Sequence, residues 1–197
     1  MTTERVPTLR ERNRARTYAE ITDAALALFE EHGYDGTTVD RIATEAGVSP
    51  ATFFRYFASK EAVLFAGEDE AAETMVRLVA ERPDPARTVE ALAAPVLAYA
   101  ESMLTENAGS RSRRLTVLVM TTPSLESRSL RMRLRWEQDI ARRLAAEGGR
   151  DSPSLGDTAV AAVAVSCLTS ALRHWRHADS TDLPALVAKA FRSVLPG

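Results

Sequence analysis

One cysteine, Cys167, occurs in 197 residues, which excludes an intrachain disulfide or a CxxC metal site. Its apolar neighbours suit a buried thiol without chemistry. Long hydrophobic runs are also missing. No stretch reaches the about 18 uninterrupted apolar residues of a membrane-spanning helix. The N-terminus is arginine-rich where a secretory signal needs an apolar core, so a cytoplasmic protein with no membrane partner is expected. The net charge of −2 lacks the basic excess usual for nucleic-acid binding, and local charge must decide that question. No HExxH, GxSxG, Walker loop or GxGxxG appears, and the three histidines have no clear catalytic partner, which argues against an enzyme. His174 and His177 stand beside Asp179 at a spacing that permits a metal, but no third strong ligand accompanies them. No metal and no cofactor are expected.

Alternating β-branched runs are absent, whereas apolar residues recur at three- and four-residue spacing, so the fold class is all-α with about nine helices. Over residues 15–32, Ile21, Ala24, Ala25, Leu28 and Phe29 form one stripe, and Gly33 stops the helix. A second helix carries Val39, Ile42, Ala43 and Ala46, capped by Thr37 or Thr38 and ended by Gly47. Ser49-Pro50 opens a third, and Ser59 caps a fourth. Breakers beyond residue 61 delimit helices over 60–81, 86–106, 111–121, 125–147, 155–178 and 183–195. The expected domains are 1–60 and 61–197, sharing the fourth helix as a continuous connection.

Residues 1–16 hold Arg5, Arg10, Arg12, Arg14 and Arg16 against Glu4 and Glu11, which reads as a mobile basic arm. Such an arm suits phosphates or a minor groove, with a solvated tail as the alternative. The turn Gly47-Val48-Ser49 joins two short helices into a helix-turn-helix, whose second helix enters a major groove by its small first residues. Aromatics make up only 6% of the chain, yet Phe53, Phe54, Tyr56 and Phe57 crowd that helix. On a helical wheel Phe53 and Phe57 point to the core, while Thr52, Arg55 and Tyr56 face the groove with Ala51 at its edge. Phe54 lies at the rim, against a thymine methyl or half buried. Arg55 suits a guanine or phosphate, Thr52 a base edge or phosphate, and Lys60 a phosphate.

The stretch LFEEHGYDGTTVDRIATEAGVSPATFFRYFASKEAVL resembles the DNA-binding domain of the TetR family of transcriptional regulators. The resemblance implies a homodimer on a palindromic double-stranded DNA operator, usually a repressor, released when a small hydrophobic effector enters the C-terminal domain. It also implies that Thr38, Ser49, Ala51, Thr52, Phe54, Arg55, Tyr56 and Lys60 face DNA. Phe54 stands where the family commonly has tyrosine, and Arg55 occupies a variable position, so the operator sequence does not carry over. An architectural DNA binder without an effector is the alternative, with an all-helical enzyme a remote third.

In the remaining two thirds, the helix over 155–178 is apolar or small nearly all round. Its Leu168 and Leu172, with Leu183, Leu186, Val187 and Phe191 of the last helix, are the expected dimer interface. Candidates for an apolar effector pocket are Leu97, Tyr99, Met103, Leu118, Met120, Trp136, Ile140 and Trp175, with plain core as the alternative. Arg128, Arg131, Arg135 and Arg142 form a narrow stripe. It reads either as a solvated face or, with Arg111, Arg113 and Arg114, as an anion site for the phosphates of an acyl-CoA. Arg133 is expected to pair with Glu137. The recognition segment and residues 123–136 are also similar to actinobacterial regulators of the mycofactocin type, which makes an acyl-CoA-like effector an expectation.

Overall fold

A computed structural model describes residues 8–104, 109–175 and 182–195. Among them are ten α-helices and one 3-10 turn, with no strand. The nine expected helices become ten because the long fourth is two pieces, separated at Phe65-Ala66-Gly67, and the chain divides into two compact units after Ala66. No continuous helix joins them.

The N-terminal unit contains α1 (Leu9–His32), α2 (Val39–Glu45), α3 (Pro50–Tyr56) and α4 (Lys60–Leu64). The described part of the expected arm is helix from Leu9 on, because α1 begins there on a capping box: Thr8 N donates to Glu11 Oε2 (2.7 Å), and Glu11 N donates to Thr8 Oγ1 (3.2 Å). Arg10, Arg12, Arg14 and Arg16 therefore ride on α1; Arg5 lies outside the described residues. Ile21, Ala25, Leu26 and Phe29 of α1 are buried with Ile42, Ala43 and Phe53. Both glycines foreseen as stops have left-handed φ, +74° at Gly33 and +66° at Gly47. Thr37, buried between them and α2, donates its hydroxyl to Leu28 O (3.1 Å) and Gly33 O (2.8 Å).

The C-terminal unit comprises α5 (Glu68–Ala80), α6 (Ala93–Ser102), α7 (Gly109–Thr121), the 3-10 turn (Pro123–Leu125), α8 (Glu126–Glu147), α9 (Leu155–Trp175) and α10 (Leu183–Val194). α6 starts seven positions later than residue 86 because Arg82 holds the preceding segment irregular. Its buried guanidinium donates to Val79 O (2.6 Å), Pro85 O (2.9 Å) and Ala86 O (3.2 Å), and pairs with Glu147 at 2.7 Å. Desolvation raises the Glu147 pKa, but hydrogen bonds from Arg82 and Arg143 outweigh it and leave the carboxyl lowered. α9 is long and apolar enough to cross a membrane by length and composition alone, yet Ala161, Ala164, Val165 and Leu168 belong to the core it shares with α8 and α10. Cys167 is buried there, and burial pushes its thiol up, keeping it protonated.

Candidate nucleic-acid interface

Local chemistry fixes the turn between α2 and α3. Val48 N donates to Ala43 O (2.9 Å) and Gly47 N to Thr44 O (3.1 Å), the paired bonds that close a helix through a left-handed residue. Ser49 then caps α3, accepting from Thr52 N (3.1 Å) and donating to Thr52 Oγ1 (3.0 Å). Proline at the first helical position completes the start. Thr38 caps α2 in the same way, accepting from Arg41 N (3.3 Å).

The aromatic cluster separates into two faces. Phe53 and Phe57 are buried, with ring centroids 5.8 Å apart, and Phe57 meets Tyr18 of α1 at 5.0 Å. Phe54 resolves as solvent-facing: it is 55% exposed and touches Phe53 only edge-on. Thr38, Ser49, Ala51 and Arg55 are exposed, and Thr52 and Tyr56 half-buried. The Arg55 guanidinium lies 5.5 Å from the centroid of the Tyr56 ring. Arg55 and Tyr56 also line a groove with Leu9, Arg10, Asn13, Arg14 and Thr17 of α1. That alignment of Arg10 and Arg14 with Arg55 was not foreseen. Its signal was the Thr8-x-x-Glu11 capping box, which extends the helix under the arginines.

Lys60 is placed differently from the phosphate anchor expected of it. Its Nζ donates to Tyr34 O (2.6 Å) and Thr37 O (2.9 Å) and lies 4.3 Å from the centroid of the Tyr34 ring. The ammonium thus ties α4 to the loop between α1 and α2, and its donors are largely engaged within the protein.

In the C-terminal unit several expected sites are displaced. Tyr99, Trp136, Ile140 and Trp175 belong to the packed core, where Tyr99 and Trp136 meet edge to face at 5.4 Å. Burial pushes the Tyr99 phenol up to about 12. Leu97 and Met103 pack against that core, Leu118 is half-buried, and Met120 alone among the eight lines a described cavity. The arginine stripe is mostly neutralised: Arg128 pairs with Glu68 (3.1 Å), Arg135 with Asp69 (2.5 Å), and Arg142 with Asp139. Arg113 lies 6.0 Å from the centroid of the Trp175 ring, and the Arg111 side chain is outside what the structure describes. Arg133 forms no ion pair with Glu137 among the described residues; its Nε is buried without an acceptor. Leu168, Leu183, Val187 and Phe191 are buried within their own subunit, so they cannot form the dimer surface expected of them; Leu172 and Leu186 are half-buried. His174 Nδ1 lies 2.9 Å from Ser170 O, while His177 and Asp179 fall outside the described residues.

The sequence matches two family descriptions: bacterial regulatory proteins of the tetR family over residues 21–66, and the MftR C-terminal domain over residues 86–197. The chain is 30% identical over 186 residues to the mycofactocin biosynthesis transcriptional regulator MftR of Mycobacterium tuberculosis, covering 94% of this chain and 93% of that protein. It is 32% identical over 194 residues to the HTH-type transcriptional regulator TcmR of Streptomyces glaucescens, covering 96% and 85%. Both relatives are regulators and not enzymes. The fold is shared with the fatty acid degradation regulator FadR from Bacillus halodurans (TM-score 0.64, 22% identity, covering 92% and 95%). It is shared also with FadR from Bacillus subtilis in complex with stearoyl-CoA (TM-score 0.59, 21% identity, covering 89% and 96%).

Proposed function

Since the chain belongs to the TetR family of transcriptional regulators and carries the MftR type of C-terminal domain, we propose that it is a cytoplasmic repressor. It binds a palindromic operator as a homodimer and leaves it when a small molecule enters the C-terminal unit. The observation that carries the reading is the polar face of α3. Ser49, Ala51 and Thr52 keep the leading turn small, Phe54 and Arg55 project from it, and Arg10 and Arg14 flank it on α1. A helix so bared enters a major groove by its first turns, with flanking arginines on the phosphates. Thr38 and the α2 N-terminus stand ready to meet the backbone. Lys60 acts as a positioning residue.

The dimer surface proposed is the outer side of α9 and α10, a groove lined by Ala162, Val163, Ser166, Leu186, Ala190 and Val194. Small residues there let a partner's helices approach closely. Effector control is supported by the FadR fold relative, whose structure holds stearoyl-CoA. A gel-shift titration over the promoter beside the protein's own gene tests the reading, with specific and random competitor DNA and sedimentation alongside. Specific competition by a dimer is expected. Equal competition by random DNA means an architectural binder, and a monomer at micromolar concentration removes the palindrome.

A further inference from the structure

α3 bears one exposed large apolar side chain, Phe54, on the side it shares with the exposed Ala51 and Arg55. The ring is 55% exposed, and it stands edge-on against the fully buried Phe53, with centroids 5.6 Å apart and planes at 88°. That contact favours one orientation of the ring, which lowers the side-chain ordering cost of binding. Ala51 precedes Phe54 by three residues, a spacing that makes the two neighbours on one helical face. Together they form an apolar spot beside a guanidinium. The spot takes no part in the core of the N-terminal unit, which Phe53 and Phe57 already close.

In a major groove the base pairs differ in their donors, their acceptors and the C5-methyl group of thymine. α3 has few means of reading the first two. Its seven residues include no Asn or Gln, the side chains that take adenine through a bidentate pair. The Ser49 hydroxyl donates its hydrogen to Thr52 Oγ1 (3.0 Å), Thr52 offers a single hydroxyl, and Arg55 suits guanine. The strongest discriminator left for an A·T pair is the thymine methyl. We propose that Phe54, backed by Ala51, reads a pyrimidine C5-methyl group, so that each operator half-site carries a thymine against this ring. Phe54 has no hydroxyl to turn towards a phosphate, and its contact is with carbon alone. Covering one methyl group strengthens binding about fourfold. The two half-sites of a dimer are far apart, so their gains combine to about fifteenfold. Cytosine lacks the methyl, whereas 5-methylcytosine presents the same group on a different base pair and recovers that part of the affinity. The inference rests on the repressor reading for the existence of an operator and of two half-sites.

The test uses the full chain and the operator duplex mapped by the promoter gel shift, with each thymine in turn replaced by deoxyuridine, which removes the methyl and leaves the pairing unchanged. One thymine in each half-site is expected to respond, with binding about fourfold weaker, and about fifteenfold weaker when both are replaced. At that position 5-methylcytosine should bind about fourfold more tightly than cytosine. Phe54→Ala should weaken binding to the thymine operator and erase both methyl effects, so that the losses from protein and DNA do not add. Should Phe54→Ala disturb the packing on Phe53, Phe54→Gln keeps a stem over that ring and is expected to erase the methyl effects as well. No uracil-sensitive thymine within the half-sites, a sensitivity that survives the Phe54 substitutions, or equal binding of cytosine and 5-methylcytosine overturns the assignment and leaves the repressor reading standing. Absence of any specific operator complex overturns both.

Discussion

Lys60→Met keeps the length of the side chain and removes its charge, which separates two roles for this residue. The ammonium donates to Tyr34 O at 2.6 Å and Thr37 O at 2.9 Å and sits 4.3 Å from the Tyr34 ring centroid. Hydrogen bonds from a charged donor contribute roughly 1.5–3 kcal/mol each, and an exposed cation–π contact about 0.5–1 kcal/mol. Lys60 is half-buried, so the carbonyls regain some water in the variant, and the net loss is expected at about 2–3 kcal/mol. Against a typical total of about 5–15 kcal/mol that is a large fraction. Both tryptophans, Trp136 and Trp175, lie in the C-terminal unit. Urea unfolding followed by fluorescence therefore reports that unit, while circular dichroism reports both. The loss should appear in the dichroism transition and leave the fluorescence midpoint in place. A phosphate anchor behaves in the opposite way: stability holds, and the slope of log affinity against log salt falls by about 0.9. Unchanged stability together with that fall in slope refutes the positioning role.

Arg14→Ala is expected to lower the salt slope by about 0.9 without altering sequence preference, whereas Arg55→Ala should cost about 1–3 kcal/mol on the operator and relax preference at one base pair. Gel shifts on operator and single-base variants read both. Gly47→Ala should destabilise the N-terminal unit by about 1–2 kcal/mol in urea, because φ is +66° while the added Cβ meets nothing within 4 Å. Asp157 gives a pH prediction. Desolvation raises its pKa, but hydrogen bonds from the Ser154 hydroxyl and amide, together with Arg150, hold it at about 2. The folded value lies below the unfolded one, so the stabilisation is full above pH of about 4 and disappears as pH falls towards 2. Asp157→Asn should remove that part of the acid sensitivity in denaturation curves taken at stepped pH.

The parts legible in the sequence are those decided within a few residues. Gly47, Ser49 and Pro50 specify the turn and the start of α3 by backbone conformation and capping alone, and the i, i+4 pair Phe53 and Phe57 follows from helical period. The apolar stripes were legible too, but not their destinations. Leu183, Val187 and Phe191 lie on one face of α10, and the subunit's own core claims that face before any partner does. Only the outward side, with Leu186, Ala190 and Val194, is left for a second chain.

Charge is where local reading failed, and the failures share a cause. The function of a lysine or arginine depends on whether the fold supplies an acceptor, and that acceptor is usually distant in sequence. Lys60 finds carbonyls 26 and 23 residues away. Arg128 and Arg135 find Glu68 and Asp69, 60 and 66 residues away, on α5. These pairings turn a basic stripe into a structural seam between two helices. No described carboxylate pairs with Arg10, Arg14 or Arg55, so three cations beside α3 stay available although the chain as a whole carries −2. A mildly acidic protein can therefore present a basic face to DNA: the positive charge is matched by carboxylates in the C-terminal unit and left unmatched around the recognition helix.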